Sequence, residues 1–450
     1  MNNDKISALE VSFNQLAEIL VEKKQQDEYF TFKLSWEQSQ FTRFNHARVR
    51  QIGCVIDGWI ELKLMYNQRS NYRRFPFVGN FELDWKQLYQ ALQELRQEIS
   101  YLPLDPYLVL PVGNNNNNSH ELYPGELLSE DSLVYSILSE VEELDFTGIY
   151  AGGVTTRGYA DSCGQKHWFA SDSFTLDYSI FNLEGQAVKG NFFGSRWHQD
   201  TYRKKIADSK RQLQLLCTST RKVPRGKYRT YLAPAAVSEL LMMLSWKGIS
   251  EADIQQGNSS LAELYHQEKA LSPIFYVKEN LNLGLVPRFN QWGEIAAPEL
   301  PIIEKGVLVN TLANSRTAKE YGKIPNGANA SETLRSPEIS PGTLTSEEIL
   351  PQLDTGLYIS NLHYLNWSDC STGRITGMTR YACFWVESGK IVAPIENLRF
   401  DESLYCFWGK NLLDLTNFQE FIPEVDTYES RQLGGSLVPG MLVKDFTYTL

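Results

Sequence analysis

Residues 221–248 read RKVPRGKYRTYLAPAAVSELLMMLSWKG. The alternation of polar and apolar residues from Tyr228 to Leu232 predicts a β-strand, and Pro234 stands where the first turn of a helix accepts a proline. Gly248 is a typical helix stop. Between the two, apolar residues recur at helical spacing on one face, namely Val237, Leu240, Leu241 and Leu244. The stretch therefore predicts a strand that leads directly into an amphipathic helix.

The composition is that of a globular protein. A chain of 450 residues, 42% hydrophobic and 22% charged, is long enough for two or three domains with cores of their own. The formal net charge of −11 argues against a general nucleic-acid-binding protein, which needs a net or clustered positive field. We therefore expect no direct contact with nucleic acid.

The cysteines and the N-terminal residues indicate an intracellular compartment. The six cysteines are scattered without a CxxC pair, which favours reduced thiols, and they are Cys54, Cys163, Cys217, Cys370, Cys383 and Cys406. The chain starts without a basic and then apolar signal segment, and no uncharged apolar run approaches the ~18 residues of a membrane-spanning helix. We expect a cytoplasmic protein that does not enter a membrane.

The order of the patterns predicts an α+β fold. A helix over residues 4–23 precedes strands between residues 29 and 66, where Asp57-Gly58 is a strong hairpin signal, and Asp84 is expected to cap the next helix. We therefore predict an N-terminal α/β sandwich-like domain with an antiparallel sheet over residues 1–113.

Two further segments follow. Residues 114–219 are expected to form a central segment, which contains a mobile asparagine run (Asn114–Asn118), a helix near residues 130–144, β-hairpins, and a helix over residues 198–217. Residues 220–450 are expected to form a β-rich C-terminal domain, with hairpins at Ile302–Leu308 and Trp385–Ile391.

Several motifs of the C-terminal part, in their order along the chain, resemble the TldD/PmbA family, also called the modulator-of-gyrase family. The opening stretch resembles the "G-[KR]-Y…L-x-P-x-A-V-x-x-L-L" segment that begins the family's C-terminal domain. The later matches are the two hairpins, Asn314–Gly322, Asn326–Ala330 and Gly356–Ile359. The resemblance implies a two-domain α+β fold, a central cleft and dimeric association.

The resemblance also implies a metal helix, and this chain departs from it. In the peptidase branch the helix after the opening strand carries HExxxH, whose histidines hold zinc while the glutamate activates water. In this chain Ser238, Glu239 and Met243 occupy the first, second and last of these positions, and no histidine occurs between His198 and His266. We therefore predict no metal ligands, no catalytic residues and no cofactor-binding residues in this chain.

Other candidate chemistry is weaker. His46, His120, His167, His198, His266 and His363 form no metal-binding pair at helical spacing, and neither a GxSxG elbow nor a phosphate-binding glycine loop is present. Cys370 and Cys383 lie in the region from which the peptidase branch takes a third zinc ligand, but we expect buried structural thiols. Glu239 is interpreted as a solvent-facing or capping carboxylate, with a position in a cleft as the alternative.

Three functional hypotheses follow. The first is a non-catalytic, metal-free subunit on the PmbA (TldE) side of the family. Its partner would be a TldD-like HExxxH paralogue that supplies zinc, and the complex would process small or unfolded peptides. The second is a divergent homodimeric peptide-binding protein without peptidase activity. The third, an enzyme of unrecognised chemistry using Glu239, Cys370 and His363, has no supporting spacing.

Overall fold

The computed structural model describes residues 3–112 and 118–449, with side chains from residue 5 onward. The helices are α1 Asn3–Glu22, α2 Phe81–Glu98, α3 Glu130–Leu138, α4 Gln199–Leu216, α5 Pro234–Met242, α6 Glu251–Gln255, α7 Ala262–Tyr265, α8 Ser315–Tyr321 and α9 Ile349–Leu353. The asparagine run predicted to be mobile, Asn114–Asn118, lies outside the described residues except for Asn118.

The strands fall into two sheets. The first sheet contains β1 Glu28–Asn45, β2 Arg48–Tyr66, β3 Arg69–Pro76, β4 Ser119–Tyr123, β5 Asp145–Asp161, β6 Lys166–Phe181 and β7 Ala187–Gly194. The second contains β8 Gly226–Leu232, β9 Val277–Asn280, β10 Glu299–Glu304, β11 Val307–Leu308, β12 Pro337–Ile339, β13 Gly356–Ile359, β14 Asn361–Asp369, β15 Arg374–Arg380, β16 Phe384–Glu387, β17 Lys390–Pro394, β18 Arg399–Ser403, β19 Leu412–Pro423 and β20 Gly435–Tyr448. The predicted α+β class is confirmed.

The first sheet is antiparallel except at β4, and its strand order is β3-β2-β1-β5-β6-β4, with β7 also paired to β6. Residues 145–194 thus complete the sheet that residues 28–76 begin. The predicted domain boundary between residues 113 and 114 stays a prediction. Strands from both sides of this boundary pair within one sheet.

The hairpin predicted at Asp57-Gly58 is wrong. Both residues lie inside β2, where they pair with Glu37 and Trp36 of β1. The chain turns instead at His46 and Ala47, which both have a φ of 49°, the left-handed conformation that a two-residue hairpin loop requires.

Gly58 is needed for close packing against Trp36 and does not form a turn. A Cβ there would lie 2.5 Å from Trp36 Cδ1 and 2.8 Å from the carbonyl oxygen of Phe77. Since β-carbons are never found that close to another heavy atom, any larger residue would displace the Trp36 indole. Gly58 therefore fits the sheet because it lacks a side chain.

The start of α2 also differs from the prediction. The N-cap is Asn80, whose side chain accepts a hydrogen bond from the Leu83 amide, and the helix begins at Phe81. Asp84, expected as the cap, lies within the first turn, buried, and accepts from the Val78 amide at 3.0 Å. Both Asn and Asp are favoured as N-cap residues. Here Asn80, four residues before Asp84, is the N-cap.

Two apolar clusters stabilise the first sheet. Helices α1 and α2 bury one face of the strands, with Phe13, Leu16 and Leu92 among the buried residues. A second cluster joins α3 and α4 to β5 and β6 through residues such as Ile137 and Tyr202. The predicted helices 4–23 and 198–217 are confirmed, while the helix near residues 130–144 ends at Leu138.

The second sheet is organised around the opening stretch. Strand β8 pairs with β20 on one side and with β13 on the other, and α5 follows it with Pro234 in its first turn. The apolar face of α5 is buried, with Leu240 and Leu241 fully inaccessible. The α-helix ends at Met242 and one 3-10 turn follows, which is earlier than the predicted stop at Gly248.

The predicted C-terminal hairpins are confirmed. They turn at Lys305-Gly306, between β10 and β11, and at Ser388-Gly389, between β16 and β17, all with positive φ. In the described part of the chain, no helix is long and apolar enough to cross a bilayer.

Candidate functional site

The site is a cleft of about 760 Å³ between the two sheets. The first sheet contributes Arg157 of β5, Asp177 of β6 and Lys189 of β7. The C-terminal half contributes α5, the start of β14, the end of β19 and the start of β20. Each side of the cleft is therefore built by a different part of the chain.

Helix α5 forms one wall because one side of it is polar. Ala235, Ser238, Glu239 and Met242 line the cleft, at the i, i+3, i+4 and i+7 spacing of a single helix face. Met243 instead belongs to the buried core of the C-terminal half. The helix thus presents a hydroxyl, a carboxylate and a thioether to the cleft.

Two of these groups have defined surroundings. Ser238 Oγ lies 2.7 Å from Ser436 Oγ, so a hydrogen bond ties α5 to the start of β20. The Glu239 side chain is exposed and lines the cleft. Of the two interpretations of Glu239, the position in a cleft is therefore the one observed. Partial desolvation, and secondly the Glu424 carboxylate, raise the pKa of Glu239.

The cleft side of α5 does not fit a catalytic zinc ion. Such a site takes three protein ligands of imidazole nitrogen, thiolate sulfur or carboxylate oxygen, whereas Glu239 is the single donor of these kinds among the residues of α5 that line the cleft. Across residues 3–112 and 118–449, no three histidine, cysteine, aspartate or glutamate side chains are grouped so that they could hold a metal ion.

Arg157 brings positive charge to the opposite wall. Its Nη1 donates to the Thr156 carbonyl oxygen at 3.0 Å, and within the described residues it forms no ion pair with a carboxylate. Burial lowers the pKa of Arg157 to about 10, and the more distant Glu37 partly offsets this effect. A desolvated guanidinium with unused donors is suited to bind an anion.

Arg431 connects the two halves next to the cleft. It is 3% exposed and belongs to the segment between β19 and β20. Its guanidinium donates to the Ser173 carbonyl oxygen at 2.6 Å, to Ser173 Oγ at 2.9 Å and to Thr155 Oγ1 at 3.2 Å. The C-terminal half is thereby hydrogen-bonded to strands β5 and β6 of the first sheet.

The remaining candidates lie elsewhere. His167 is buried against the Gly293 carbonyl oxygen, while His46 and His120 are exposed and contact Asp145 and Glu10. His198 and His266 are at helix ends, and His363 lies on β14. None of these histidines lines the cleft.

The two cysteines of interest also lie outside it. The Sγ of Cys383 is buried and contacts the Arg380 carbonyl oxygen, whereas that of Cys370 contacts the Asn258 carbonyl oxygen. Burial raises the pKa of both thiols. Glu239, Cys370 and His363 therefore have separate surroundings, and the structure does not bring them into one site.

Sequence reasoning missed Arg157, Glu424 and Arg431. Arg157 stands in the strand pattern of β5 as an ordinary polar residue, and the other two lie in a connection without regular structure. The sequence signal for Arg157 was a charged residue within a strand of mostly apolar and small residues. Such residues are common in sheets that face water on one side, so the signal does not single out a site.

Two sheets with a cleft between them, walled by the helix that follows β8, define a two-layered α+β protein. Residues 225–450, half of the chain, match the family model described as "PmbA/TldA metallopeptidase C-terminal domain". The chain belongs to the TldD/PmbA family.

Individual relatives agree with this assignment. "Metalloprotease PmbA" of Escherichia coli O157:H7 is 26% identical over 142 residues, which cover 32% of this chain and 29% of that protein. The match therefore spans less than a third of the relative's length.

Solved structures share the whole fold. A candidate modulator of a DNA gyrase from Thermotoga maritima is similar with a TM-score of 0.77 at 17% identity, covering 97% of this chain and 99% of that one. TldE from Thermococcus kodakarensis gives a TM-score of 0.75 at 12% identity, covering 98% and 100%. At these identities the likeness establishes the fold.

Proposed function

We propose that this chain is a non-catalytic, metal-free subunit of a TldD-type zinc metallopeptidase complex that processes small or unfolded peptides. An HExxxH-bearing paralogue would supply the zinc ion and the water-activating glutamate. This chain would supply peptide-binding surface and close one side of the reaction space.

The observation that carries this proposal is the cleft-facing side of α5. By the resemblance, α5 corresponds to the metal helix and Glu239 to its glutamate. Of the two positions that would need imidazoles, however, one holds Ser238, which lines the cleft, and the other holds Met243, which lies in the core. A carboxylate without a bound dication beside it activates water poorly near neutral pH. A role in binding accounts for this wall better than a role in hydrolysis.

The charge distribution of the cleft supports a peptide as the ligand. Arg157 offers unused guanidinium donors on one wall, and Glu239 and Glu424 place carboxylates on the other. Backbone-like partners are present as well, because the amide side chains of Asn191 and Asn361 line the same space. We infer that Arg157 binds a carboxylate of the peptide, at its C-terminus or on an acidic side chain.

The size of the space sets a limit on the ligand. A cleft of about 760 Å³ falls in the range of ordinary ligand pockets. It can take an extended peptide of a few residues, whereas a folded domain is too large.

The test is to measure zinc content and peptide cleavage for the purified chain alone, for the HExxxH paralogue alone, and for their mixture. We expect zinc and cleavage to depend on the paralogue and cleavage to increase when this chain is added. Stoichiometric zinc together with cleavage by the lone chain would refute the proposal.

A second candidate function is a homodimeric peptide-binding protein without peptidase activity. The exposed edge that residues 48–57 of β2 form beyond the end of β3 favours it, because an unpaired edge can pair with a strand of another chain. Peptide binding by a dimer of this chain, with no gain in cleavage from any HExxxH paralogue, would decide for this alternative.

A further inference from the structure

A second cavity lies in the C-terminal half, apart from the cleft. It has a volume of about 420 Å³, and it shares no lining residue with the cleft. Its polar floor contains Glu251, Tyr265 and Lys323, and its apolar rim contains Leu308, Val309 and Ile324. We call this cavity the Lys323 pocket. Its volume is near the lower end of the range for ligand pockets, so a ligand that fits it is small.

The ends of two helices fix the backbone of Lys323 and Tyr265. Helix α8 ends at Tyr321, Gly322 is its C-cap with a φ of 67°, and the Lys323 amide donates to the Ala318 carbonyl oxygen at 2.9 Å. A left-handed glycine in this place is a common helix end. Tyr265 is the last residue of α7, and its amide donates to the Leu261 carbonyl oxygen at 2.8 Å. Both side chains therefore start from defined positions.

Two hydrogen-bond donors meet at the floor of the pocket. Lys323 Nζ donates to Tyr265 Oη at 3.2 Å and lies 3.1 Å from Glu251 Oε1. An ammonium group has three N–H donors, so one remains for a ligand. Because the Tyr265 oxygen accepts from Lys323, its own O–H is not used in that bond, and it donates to no acceptor among the described residues. An ammonium N–H and a phenol O–H are thus available side by side.

The floor keeps its positive charge although Glu251 is close. The hydrogen bond with Tyr265, and secondly that with Glu251, raise the pKa of Lys323, so the amine is protonated at neutral pH. The Glu251 side chain is only 5% exposed, and it also accepts from Gln255 Nε2 at 2.8 Å and from Thr311 Oγ1. An anion that accepts the remaining N–H of Lys323 lies closer to Nζ than to the Glu251 oxygens. Its attraction to Lys323 is therefore larger than its repulsion from Glu251.

The rim exposes aliphatic side chains to water. Val309 and Ile324 are 43% and 87% exposed, and Leu308 is half-buried. Single exposed apolar side chains are common on protein surfaces, but these three lie around one cavity whose floor holds two free donors. A hydrocarbon chain in contact with them would remove apolar surface from water on both sides of the contact.

We propose that the Lys323 pocket binds a small aliphatic monocarboxylate. Its carboxylate accepts hydrogen bonds from Lys323 Nζ and Tyr265 Oη, one for each oxygen, and its chain lies against Leu308, Val309 and Ile324. Two oxygens in a plane match two neighbouring donors better than a single acceptor does. The proposal does not rest on the proposed function, since neither zinc nor the cleft enters the argument.

The test is isothermal titration calorimetry of the full chain with sodium octanoate as the probe. Octanamide is the matched ligand, because it has the same chain and a neutral head group. We expect octanoate to have a Kd about tenfold or more below that of octanamide, since only octanoate makes charged hydrogen bonds.

Two variants test the contacts separately. Tyr265→Phe keeps the ring and removes one donor, so the Kd of octanoate should rise about threefold to tenfold. Ile324→Ser removes part of the apolar rim and should raise the Kd about threefold or more. Neither side chain is buried, so the fold should persist in both variants.

The charge is tested with Lys323→Met, which should raise the Kd of octanoate about tenfold or more. This change leaves the Glu251 carboxylate without its cation, so the double variant Lys323→Met with Glu251→Gln removes the ion pair as a whole. Both should bind octanoate equally weakly. Lys269→Met is the control, because Lys269 pairs with Glu263 outside the pocket and should keep the parental Kd.

The cleft offers another guanidinium, and the same titration with Arg157→Met distinguishes the two places. A Kd that rises with Arg157→Met and not with Lys323→Met would assign the acid to the cleft and overturn the proposal. So would a parent protein that does not bind octanoate, equal Kd values for octanoate and octanamide, or binding that Tyr265→Phe and Lys323→Met leave unchanged.

Discussion

Arg431 donates a hydrogen bond from Nη1 to the carbonyl oxygen of Ser173 at 2.6 Å, and so joins the connection between β19 and β20 to the first sheet. Removing the guanidinium in Arg431→Met would leave this carbonyl oxygen and the Thr155 hydroxyl without a charged donor in a buried place. We expect the free energy of unfolding to fall by about 3 kcal/mol or more, measured by urea denaturation.

The matched control is Arg196→Met. Arg196 pairs with Glu126, and both side chains are mostly exposed, so the loss should stay below about 1 kcal/mol. Equal effects of the two substitutions would show that the buried position of Arg431 contributes nothing.

Arg157→Met tests the inferred carboxylate contact in the cleft. The variant keeps a long side chain but removes the charge, so a short peptide with a free C-terminal carboxylate should bind about tenfold or more weakly. The same peptide with a C-terminal amide should bind parent and variant alike if it has no acidic side chain. Isothermal titration calorimetry gives both values, and an equal loss for the two peptides would contradict the contact.

Glu239 should make stability depend on pH. Its pKa is raised in the folded protein from an ordinary value of 4.5, so folding favours the protonated carboxyl. Its contribution to stability is therefore lost as the pH rises from 4.5 through the raised pKa. The variant Glu239→Gln should melt at a higher temperature than the parent at neutral pH, with no difference below pH 4. Glu424→Gln should show a smaller change of the same sign, because Glu424 is the secondary cause.

His167 should act in the opposite direction. Burial lowers its pKa from 6.5 to about 4, and its Nε2 donates to the Gly293 carbonyl oxygen at 2.9 Å while Nδ1 accepts from the Ser119 amide. The neutral ring fits this site, so the stabilisation present above pH 6.5 is lost as the pH falls towards 4. The loss amounts to about 3 kcal/mol. Equilibrium unfolding across this range measures it, and an imidazole that titrates near 6.5 by NMR would contradict it.

Gly58→Ala should destabilise the first sheet. The new methyl group would meet the Trp36 ring and the Phe77 carbonyl oxygen well inside contact distance, at a cost of about 1–3 kcal/mol. Gly226→Ala is the comparison, since its nearest neighbour would be Tyr228 at an ordinary 3.4 Å. A loss no larger at Gly58 than at Gly226 would show that the Trp36 ring moves freely.

Local patterns predicted much of the fold. Pro234 and the apolar spacing after it located α5, and the glycine-ending turns at Gly306 and Gly389 located two hairpins. These features depend on residues near each other in the chain. The prediction of a hairpin at Asp57-Gly58 was wrong because this glycine is needed for another reason. Its missing side chain leaves space for the indole of Trp36, which is distant in the sequence.

The site was predictable only in part. The spacing along α5 was sufficient to place Ser238 and Glu239 on one helix, but not to decide that Met242 rather than Met243 faces the cleft. The opposing wall could not be predicted, because Arg157 lines the same cleft as α5 only through the packing of one sheet against the other.

The segment between β19 and β20 has Glu424 in the cleft wall at one end and Arg431 beneath the first sheet at the other. The residues between them are largely exposed. Cutting by a protease between Thr427 and Ser430 would therefore report whether the cleft is occupied. A peptide that binds beside Glu424 should slow the cut, although these residues do not line the cleft.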